Sequence, residues 1–384
     1  MSPRRLAAHA EADVRPGAWA RLRGLVLPGL LALLTGCSGG GGGGAGGVAV
    51  PTAPVVGFGA GQLAVLIAEG DPTSEAIALA YQRARGIPDA HMIRVSLPRP
   101  AADTLSAADF ATLKASIDAR LPAQVQATLL TWTQPSRVVG TCTMGITSAL
   151  ALGYDARYCG GCVATAASPY FNVDTRRPFT DLGVRPSMML GAATLAEAQQ
   201  LIARGVAADA SWLPFPPTGA QAFAMRTTDA ARSTRAGDFQ LLASSAVPGL
   251  SVRFVDNANG AGSDEVSGQT AVMFYFTGLA RVNQAASNRY LPGAVADTLT
   301  SFAGLLPDGL GQMPATDWLK AGLTASYGTV EEPCNYTEKF PRATVMVGRY
   351  ARGETLLAAY WKSEQWPGQG LFVGEPLARP WAAN

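Results

Sequence analysis

The sequence predicts an α/β fold in which a largely parallel β-sheet carries helices on both faces. Two observations point to it. Short, fully apolar segments of strand length, such as Leu63-Ala-Val-Leu-Ile-Ala68, are typical of strands buried in parallel sheets. Amphipathic segments with helix start and stop residues lie between them, and strands joined by helices form right-handed parallel crossovers. We therefore expect a three-layer sandwich.

The elements are predicted in the order strand, helix, strand, helix, strand. The first helix is capped by Asp71, begins at Pro72 and stops at Gly86, because Pro suits the first turn and Gly the position after the last. Ser106 caps the second helix, whose apolar face holds Phe110, Leu113 and Ile117, and the capping box Thr194-Leu-Ala-Glu197 opens a third helix to about residue 208. Further strands are predicted at residues 92–97, 127–132, 251–255 and 270–277. No internal sequence repeat is apparent.

Residues 1–36 predict a lipoprotein signal peptide. Five Arg precede an apolar run over residues 25–34, which is shorter than a membrane span. The run leads into Leu34-Thr-Gly-Cys37, which resembles a lipobox and marks Cys37 for lipidation. Ser38, rather than Asp, favours the outer membrane in a Gram-negative host. We expect a lipid-anchored protein of the cell envelope, facing the periplasm or the cell surface, with the bilayer as its first partner.

Residues 37–58 predict a flexible tether, because they are nearly pure Gly from 39 to 47 and then contain Pro51 and Pro54. A phosphate-binding Gly loop would need a preceding strand and a following Lys-Ser/Thr, and both are missing. Residues 59–384 predict a single α/β domain. The stretch Pro214-Phe-Pro-Pro-Thr-Gly219 is either a subdomain seam or a surface loop.

Charge argues against nucleic acid as a partner. The chain has 30 Lys and Arg against 28 Asp and Glu, and removing residues 1–36 leaves 25 against 26. A nucleic-acid-binding domain needs a clustered positive field, which a nearly neutral domain does not predict.

Four cysteines follow Cys37 in the predicted domain: Cys142, Cys159, Cys162 and Cys334. An even number in an exported protein predicts disulfides, with three possible connectivities. Two alternatives stay open, a redox site at Cys159-Gly-Gly-Cys162 and a zinc site of four thiolates.

The sequence offers few residues of the types that act in catalysis. Beyond the signal peptide the only histidine is His91, predicted at the start of a strand, away from the carboxyl ends where catalytic groups of parallel sheets gather. We expect it to be structural.

The acidic motifs do not predict a metal site. Asp256-Asn-Ala-Asn-Gly260 lacks the oxygen donors of a calcium loop at its third and fifth positions and predicts a turn. Glu69 and Asp71 follow the first strand, where Asp71 serves as a helix cap. The pair Glu331-Glu332 is expected to be solvated. We predict neither a metal nor a cofactor.

Eight segments together resemble an uncharacterised family of secreted bacterial proteins and lipoproteins, and the resemblance covers nearly all of the chain after the tether. They are Asp71-Pro-Thr-Ser-Glu-Ala with Arg83-Ala-Arg-Gly-Ile-Pro88, Gly145-Ile-Thr-Ser-Ala-Leu with Gly153-Tyr-Asp155, Ser168-Pro-Tyr-Phe-Asn172, Phe276-Thr-Gly-Leu-Ala280, Leu291-Pro-Gly-Ala-Val-Ala-Asp297 and Leu371-Phe-Val-Gly-Glu-Pro376. This resemblance implies no activity.

A more remote similarity connects the strand at Thr270, the segment 321–328 and Gly374-Glu-Pro376 to the gingipain-like branch of caspase-fold peptidases. It implies a caspase/gingipain-like sandwich, with a flavodoxin-like one as the alternative. Such peptidases place His-Gly after one central strand and a nucleophilic Cys after the next. Here Thr277-Gly278 and Ala325-Ser326 stand near those places, so the similarity implies the fold without its Cys-His dyad.

Two functional classes follow. The first is a non-catalytic envelope lipoprotein that binds an unknown protein, peptide or glycan. The second is a hydrolase with an unconventional site, for which the candidates are Asp297, Ser301 and Ser326.

Overall fold

We describe the protein from a computed structural model covering residues 58–98 and 102–382. The predicted signal peptide, the lipidation site Cys37 and the tether before Phe58 lie outside the described residues.

The described chain folds into strands and helices that alternate along most of its length. The strands are β1 (Leu63–Ala68), β2 (Met92–Val95), β3 (Thr104–Ser106), β4 (Ala127–Leu130), β5 (Arg137–Val139), β6 (Thr143–Gly145), β7 (Ser187–Met189), β8 (Ala220–Arg226), β9 (Leu250–Asp256), β10 (Val272–Thr277), β11 (Tyr290–Thr298), β12 (Ala325–Thr329) and β13 (Gly370–Gly374). The α-helices are α1 (Pro72–Arg85), α2 (Ala107–Asp118), α3 (Ile146–Leu152), α4 (Pro178–Leu182), α5 (Leu195–Ala208), α6 (Ala236–Ala243), α7 (Ala315–Lys320), α8 (Ala343–Ala351) and α9 (Leu356–Ser363). Within the described ranges, no helix has both the length and the apolar character of a membrane span.

Ten strands form one sheet in the order β2-β1-β4-β7-β13-β12-β11-β10-β8-β9, and β3, β5 and β6 form a small second sheet. Every neighbouring pair of the large sheet is parallel except β12 and β13, which are antiparallel. The predicted α/β class with a largely parallel sheet is therefore confirmed.

The antiparallel pair divides the large sheet into two parallel halves that point in opposite directions. The first half is β2-β1-β4-β7-β13 and the second is β9-β8-β10-β11-β12, each read from its outer edge. Numbered along the chain within its own half, each has the order 2-1-3-4-5, which is the flavodoxin-like order. The fold thus contains a repeat that the sequence does not display. The second half begins with β8 at Ala220, directly after the Pro/Gly-rich stretch 214–219.

Helices cover both faces of the sheet. Because side chains alternate along a strand, neighbouring residues identify the two faces. Tyr275 packs edge-on against Trp318 of α7, whereas the next residue, Phe276, stacks on Phe239 of α6. Phe372 of β13 stacks on Trp361 of α9. The sheet is thus the middle layer of a sandwich, with α7 on one side and α6 and α9 on the other.

The predicted helix ends are confirmed by their capping bonds. The Asp71 carboxylate accepts from the backbone N–H groups of Thr73 and Ser74, and Gly86 ends α1 in the left-handed conformation at φ 65°. Thr194 caps α5 through the N–H of Glu197. The capping box differs in one detail, because the Glu197 carboxylate accepts from Ala193 N–H instead of Thr194 N–H.

Candidate functional site

The four cysteines form two disulfides, Cys142 with Cys159 and Cys162 with Cys334. This selects one of the three connectivities. The redox interpretation of Cys159-Gly-Gly-Cys162 is wrong, because it needs these two cysteines to pair with each other. The zinc site of four thiolates is also excluded in this state, because all four sulfurs are in disulfides.

The two halves place their carboxyl-end edges on opposite sides of the molecule. Glu69 follows β1 and Trp132 follows β4, so both lie at the first half's edge, while Thr277 ends β10 at the opposite one. Ser326 is the second residue of β12 and lies on the Glu69 side of the sheet. These four residues therefore do not converge on one cleft, because the antiparallel pair reverses the direction of the second half.

At the first half's edge, a cleft of about 470 Å³ opens beside the ends of β1 and β2. Its polar groups include Glu69, Ser96 and Asp109. They are engaged in side-chain hydrogen bonds: the Ser96 hydroxyl donates to Glu69, and the Ser106 hydroxyl donates to Asp109 at the start of α2.

At the second half's edge, the crevice between β8 and β10 is filled by the chain itself. This is the switch point of the half, where ligands of open parallel sheets usually bind. Here the Thr227 hydroxyl donates to the Gly278 carbonyl at 2.8 Å. A Cβ on Gly278 would lie 2.1 Å from the Arg232 carbonyl oxygen, so only glycine allows the loop to pack this closely.

The open space at this edge lies two strands further along, beyond the ends of β11 and β12. It is a cleft of about 330 Å³, which is within the range of small-ligand sites. Two apolar residues, Ala231 and Leu299, belong to the lining. Its polar groups are a guanidinium, two hydroxyls, a carboxylate, an amide and one sulfur of a disulfide, from Arg232, Thr300, Ser301, Glu332, Asn335 and Cys334.

Close backbone packing fixes the floor of this cleft. The Thr329 hydroxyl donates to the carbonyls of Thr300 and Ser301 at 3.1 and 2.8 Å, and Gly304 N–H donates to Thr329 O at 2.9 Å. A Cβ on Gly304 would lie 2.6 Å from the Gly328 carbonyl oxygen, and so glycine is needed at the crossing. The Ser301 loop is therefore held rigidly against the end of β12.

Arg232 is positioned by its neighbours on the cleft wall. Its NH1 donates to the Asp229 carboxylate at 2.7 Å, and its Nε to the Thr300 hydroxyl at 3.3 Å. Thr300 in turn donates to Gln312 at 2.7 Å. Part of the guanidinium faces solvent, since the Arg232 side chain remains 28% exposed. It offers a cationic hydrogen-bond donor at a fixed place.

Of the three catalytic candidates, only Ser301 lines a cleft, with 9% exposure. A serine nucleophile needs a base within hydrogen-bonding distance. His91, the only histidine of the described chain, is buried and contacts Leu63 O at 3.1 Å in β1. From β1 to β11 there are five strand spacings, or on the order of 24 Å. His91 is thus packed and hydrogen-bonded within the sheet, and no histidine of the described residues lies near Ser301.

Asp297 and Ser326 are fully buried and point to opposite faces of the sheet. Asp297 lies 2.6 Å from Arg235 NH1 and faces Tyr360 of α9. Burial raises the pKa of Asp297, and the charge of Arg235 opposes this increase. Ser326 lies on the α7 face by strand alternation, and its buried hydroxyl has no partner among the described groups. Neither residue has access to substrate, so they do not form a site with Ser301.

Side chains of the acidic motifs accept hydrogen bonds from backbone N–H groups. Asp256 accepts from Ala258 N–H and Asn259 from Ala261 N–H, which confirms the predicted turn over 256–260. Glu331 accepts from the N–H groups of Thr143 and Gly161.

Comparisons of the chain with protein-family models, with curated proteins and with solved structures found no match. The sequence does not predict this cleft, because its lining residues Arg232, Thr300 and Glu332 are far apart along the chain. The only available signal was that Ser301 follows a Pro-Gly-containing apolar segment.

Proposed function

We propose that this protein is a lipid-anchored component of the cell envelope whose α/β domain binds a protein, peptide or glycan without catalysing a reaction. The observation that supports this most directly is the cleft at the ends of β11 and β12, which has hydrogen-bonding groups at fixed positions and, among the described residues, no histidine beside Ser301.

The lining fits an uncharged, hydrogen-bonding ligand. Arg232 and Asn335 supply donors, Glu332 supplies an acceptor and Ser301 supplies a hydroxyl. The buried Thr300 hydroxyl is already bonded to Arg232 and Gln312 and positions Arg232. The charge of Arg232 is already balanced by Asp229, and Glu332 accepts from Cys334 N–H, so neither side chain is reserved for a charged ligand group. Peptide backbones and sugar hydroxyls both present the mixed donors and acceptors that such a lining matches.

Export is supported by the two disulfides, since structural disulfides persist in oxidising compartments and are rare in the cytosol. If Cys37 carries the lipid, Cys37→Ala should abolish incorporation of a clickable palmitate analogue and should release the chain from the membrane fraction. Equal labelling of the variant and the parent would contradict lipidation at Cys37.

The cleft is testable by photocrosslinking in intact cells of the producing bacterium. A benzophenone amino acid placed at Asn335 should give a discrete crosslinked product. The same group at Leu241, which is 59% exposed on α6, is the matched control and should not. An identical product pattern at both positions, or no product at Asn335, would count against binding in this cleft.

The hydrolase remains a second candidate because Ser301 lines the cleft. A fluorophosphonate probe should leave the purified chain unlabelled, since the described residues offer the Ser301 hydroxyl no histidine partner. Labelling that disappears in Ser301→Ala would replace the binding proposal by the hydrolase.

A further inference from the structure

The two disulfides differ in their access to solvent. Cys159 is 5% exposed and Cys142 is partly buried, so the Cys142–Cys159 bond is the less accessible of the two. Cys162 and Cys334 are both exposed, and Cys334 lines the mouth of the cleft. Thiol–disulfide exchange requires a thiolate to reach a sulfur atom, so the exposed bond is the one that a reductant can attack.

The chain on both sides of the exposed bond is held by other interactions. On the Cys162 side, Gly161 N–H donates to Glu331 Oε2 at 3.1 Å and Gly161 O accepts from Lys339 Nζ. On the Cys334 side, Cys334 N–H donates to Glu332 Oε1 at 2.8 Å. These bonds do not depend on the disulfide, and so the two thiols of the reduced form should stay close together.

A carboxylate lies beside the two sulfurs. The Sγ atoms of Cys162 and Cys334 and a carboxylate oxygen of Glu332 all lie within 4.8 Å of one another. Glu332 Oε1 is held by Cys334 N–H, which leaves Oε2 for a cation. Two thiolates with one carboxylate suit Zn²⁺ and softer divalent ions, with water as the fourth ligand. In the disulfide state the sulfurs are not thiolates and this ligand set does not exist.

We propose that Cys162–Cys334 is a reversible disulfide whose reduced form binds one Zn²⁺ or similar soft cation through Cys162, Cys334 and Glu332. This goes beyond ligand binding in the cleft and does not depend on it. The reductant is a dithiol. One of its thiolates attacks a disulfide sulfur to form a mixed disulfide, and its second thiol then displaces the protein thiol. The dithiol becomes a disulfide, the protein gains two electrons and two protons, and the cation displaces both thiol protons on binding.

The first test orders the two disulfides by reactivity. The purified full chain is treated anaerobically with increasing dithiothreitol, trapped with iodoacetamide and mapped by mass spectrometry. Cys162 and Cys334 should be alkylated at reductant concentrations at least tenfold below those that expose Cys142 and Cys159. Simultaneous reduction, or prior reduction of Cys142–Cys159, would overturn the proposal.

The second test measures the metal site. After selective reduction and removal of dithiothreitol, Cd²⁺ should bind with one equivalent and give a thiolate charge-transfer band in the ultraviolet. Oxidised protein and reduced, alkylated protein should give no band, and these two controls need no variant that must fold. Glu332→Gln should weaken binding about tenfold or more, as expected for loss of a ligand. Glu75→Gln on α1, which keeps an oxygen for Gly70 N–H, is the matched control and should retain the band. No band in the reduced protein, or equal affinity in Glu332→Gln, would reject this ligand set.

Discussion

The two halves of the sheet share one strand order, but the buried carboxylates beside them differ in their hydrogen-bond partners. At the first half's edge, Glu375 accepts from Tyr81 at 2.7 Å and from Arg85 Nε and NH2 at 2.9 and 2.7 Å. Beside β12 of the second half, Glu364 accepts from Tyr327 alone among the described groups, at 3.2 Å, and its other oxygen is buried without a partner there. The same strand order thus accompanies an Arg85–Glu375 ion pair, called the clamp below, in one half and a carboxyl group with one unbonded oxygen, Glu364, beside the other.

The difference lies in the neighbouring chain segments. Arg85 at the end of α1 reaches both Glu375 and Asp209, and so joins the end of α1 to the segment after β13 and the end of α5. Around Glu364 the nearest cations are already engaged, Arg235 with Asp297 and Lys339 with Gly161 O. Burial therefore raises the pKa of Glu364 well above its usual range. Strand order alone does not determine the electrostatics of a site, because the charged partners come from loops and helix ends.

Removing Arg85 tests the clamp and should have the largest effect. Arg85→Met leaves Glu375 buried without its cation, which should cost about 3–5 kcal/mol of unfolding free energy in urea denaturation. Lys114→Met breaks the partly exposed Lys114–Asp118 pair and is the control, with an expected loss below about 1 kcal/mol. Equal losses in the two variants would show that Arg85 does not clamp the first half.

Glu364 should make stability fall as pH rises. Its folded pKa is raised above the unfolded value, so between those two values the folded state binds more protons than the unfolded state. Glu364→Gln keeps an oxygen for Tyr327 and removes the titration. The variant should lose this decline and gain stability relative to the parent above about pH 5, measured by urea midpoints at several pH values. A parallel pH dependence in both proteins would contradict a raised pKa for Glu364.

Lys339 should produce a smaller effect of opposite sign at higher pH. Burial lowers its pKa to about 8. Between this value and the ordinary Lys pKa the unfolded state binds more protons, so its contribution to stability increases with pH. Lys339→Met should flatten the stability profile between about pH 8 and 10, relative to the parent. A profile that keeps the same slope in this window would mean that Lys339 titrates normally.

The predictability of the fold differs along the chain for physical reasons. The first βαβ units have continuous apolar runs and clear caps, and the structure matches them. Strand β11 was not predicted because Pro292 and Gly293 interrupt it, and Pro is unfavourable in a central strand. The register of β11 against β10 shifts between Val272 and Phe274, and Gly293 adopts φ 86°. The strand accommodates Pro292 and Gly293 through this irregularity.

The candidate site was predictable only in part. Ser301, Cys334 and the use of all four cysteines in disulfides were identified from the sequence. Their pairing, the burial of Asp297 and Ser326, and the contribution of Arg232 depend on which segments meet in space.

The sequence by itself determined the fold class, the early helix boundaries and the cysteines available for pairing, since these depend on local periodicity, capping and composition. The resemblance and the lipidated Cys37 stay predictions from the same source. Only the tertiary structure decided that the two halves run in opposite directions, because β13 returns from the end of the chain to pair antiparallel with β12. That single pairing puts the carboxyl ends of the two halves on opposite edges, and with them the place where a ligand can bind.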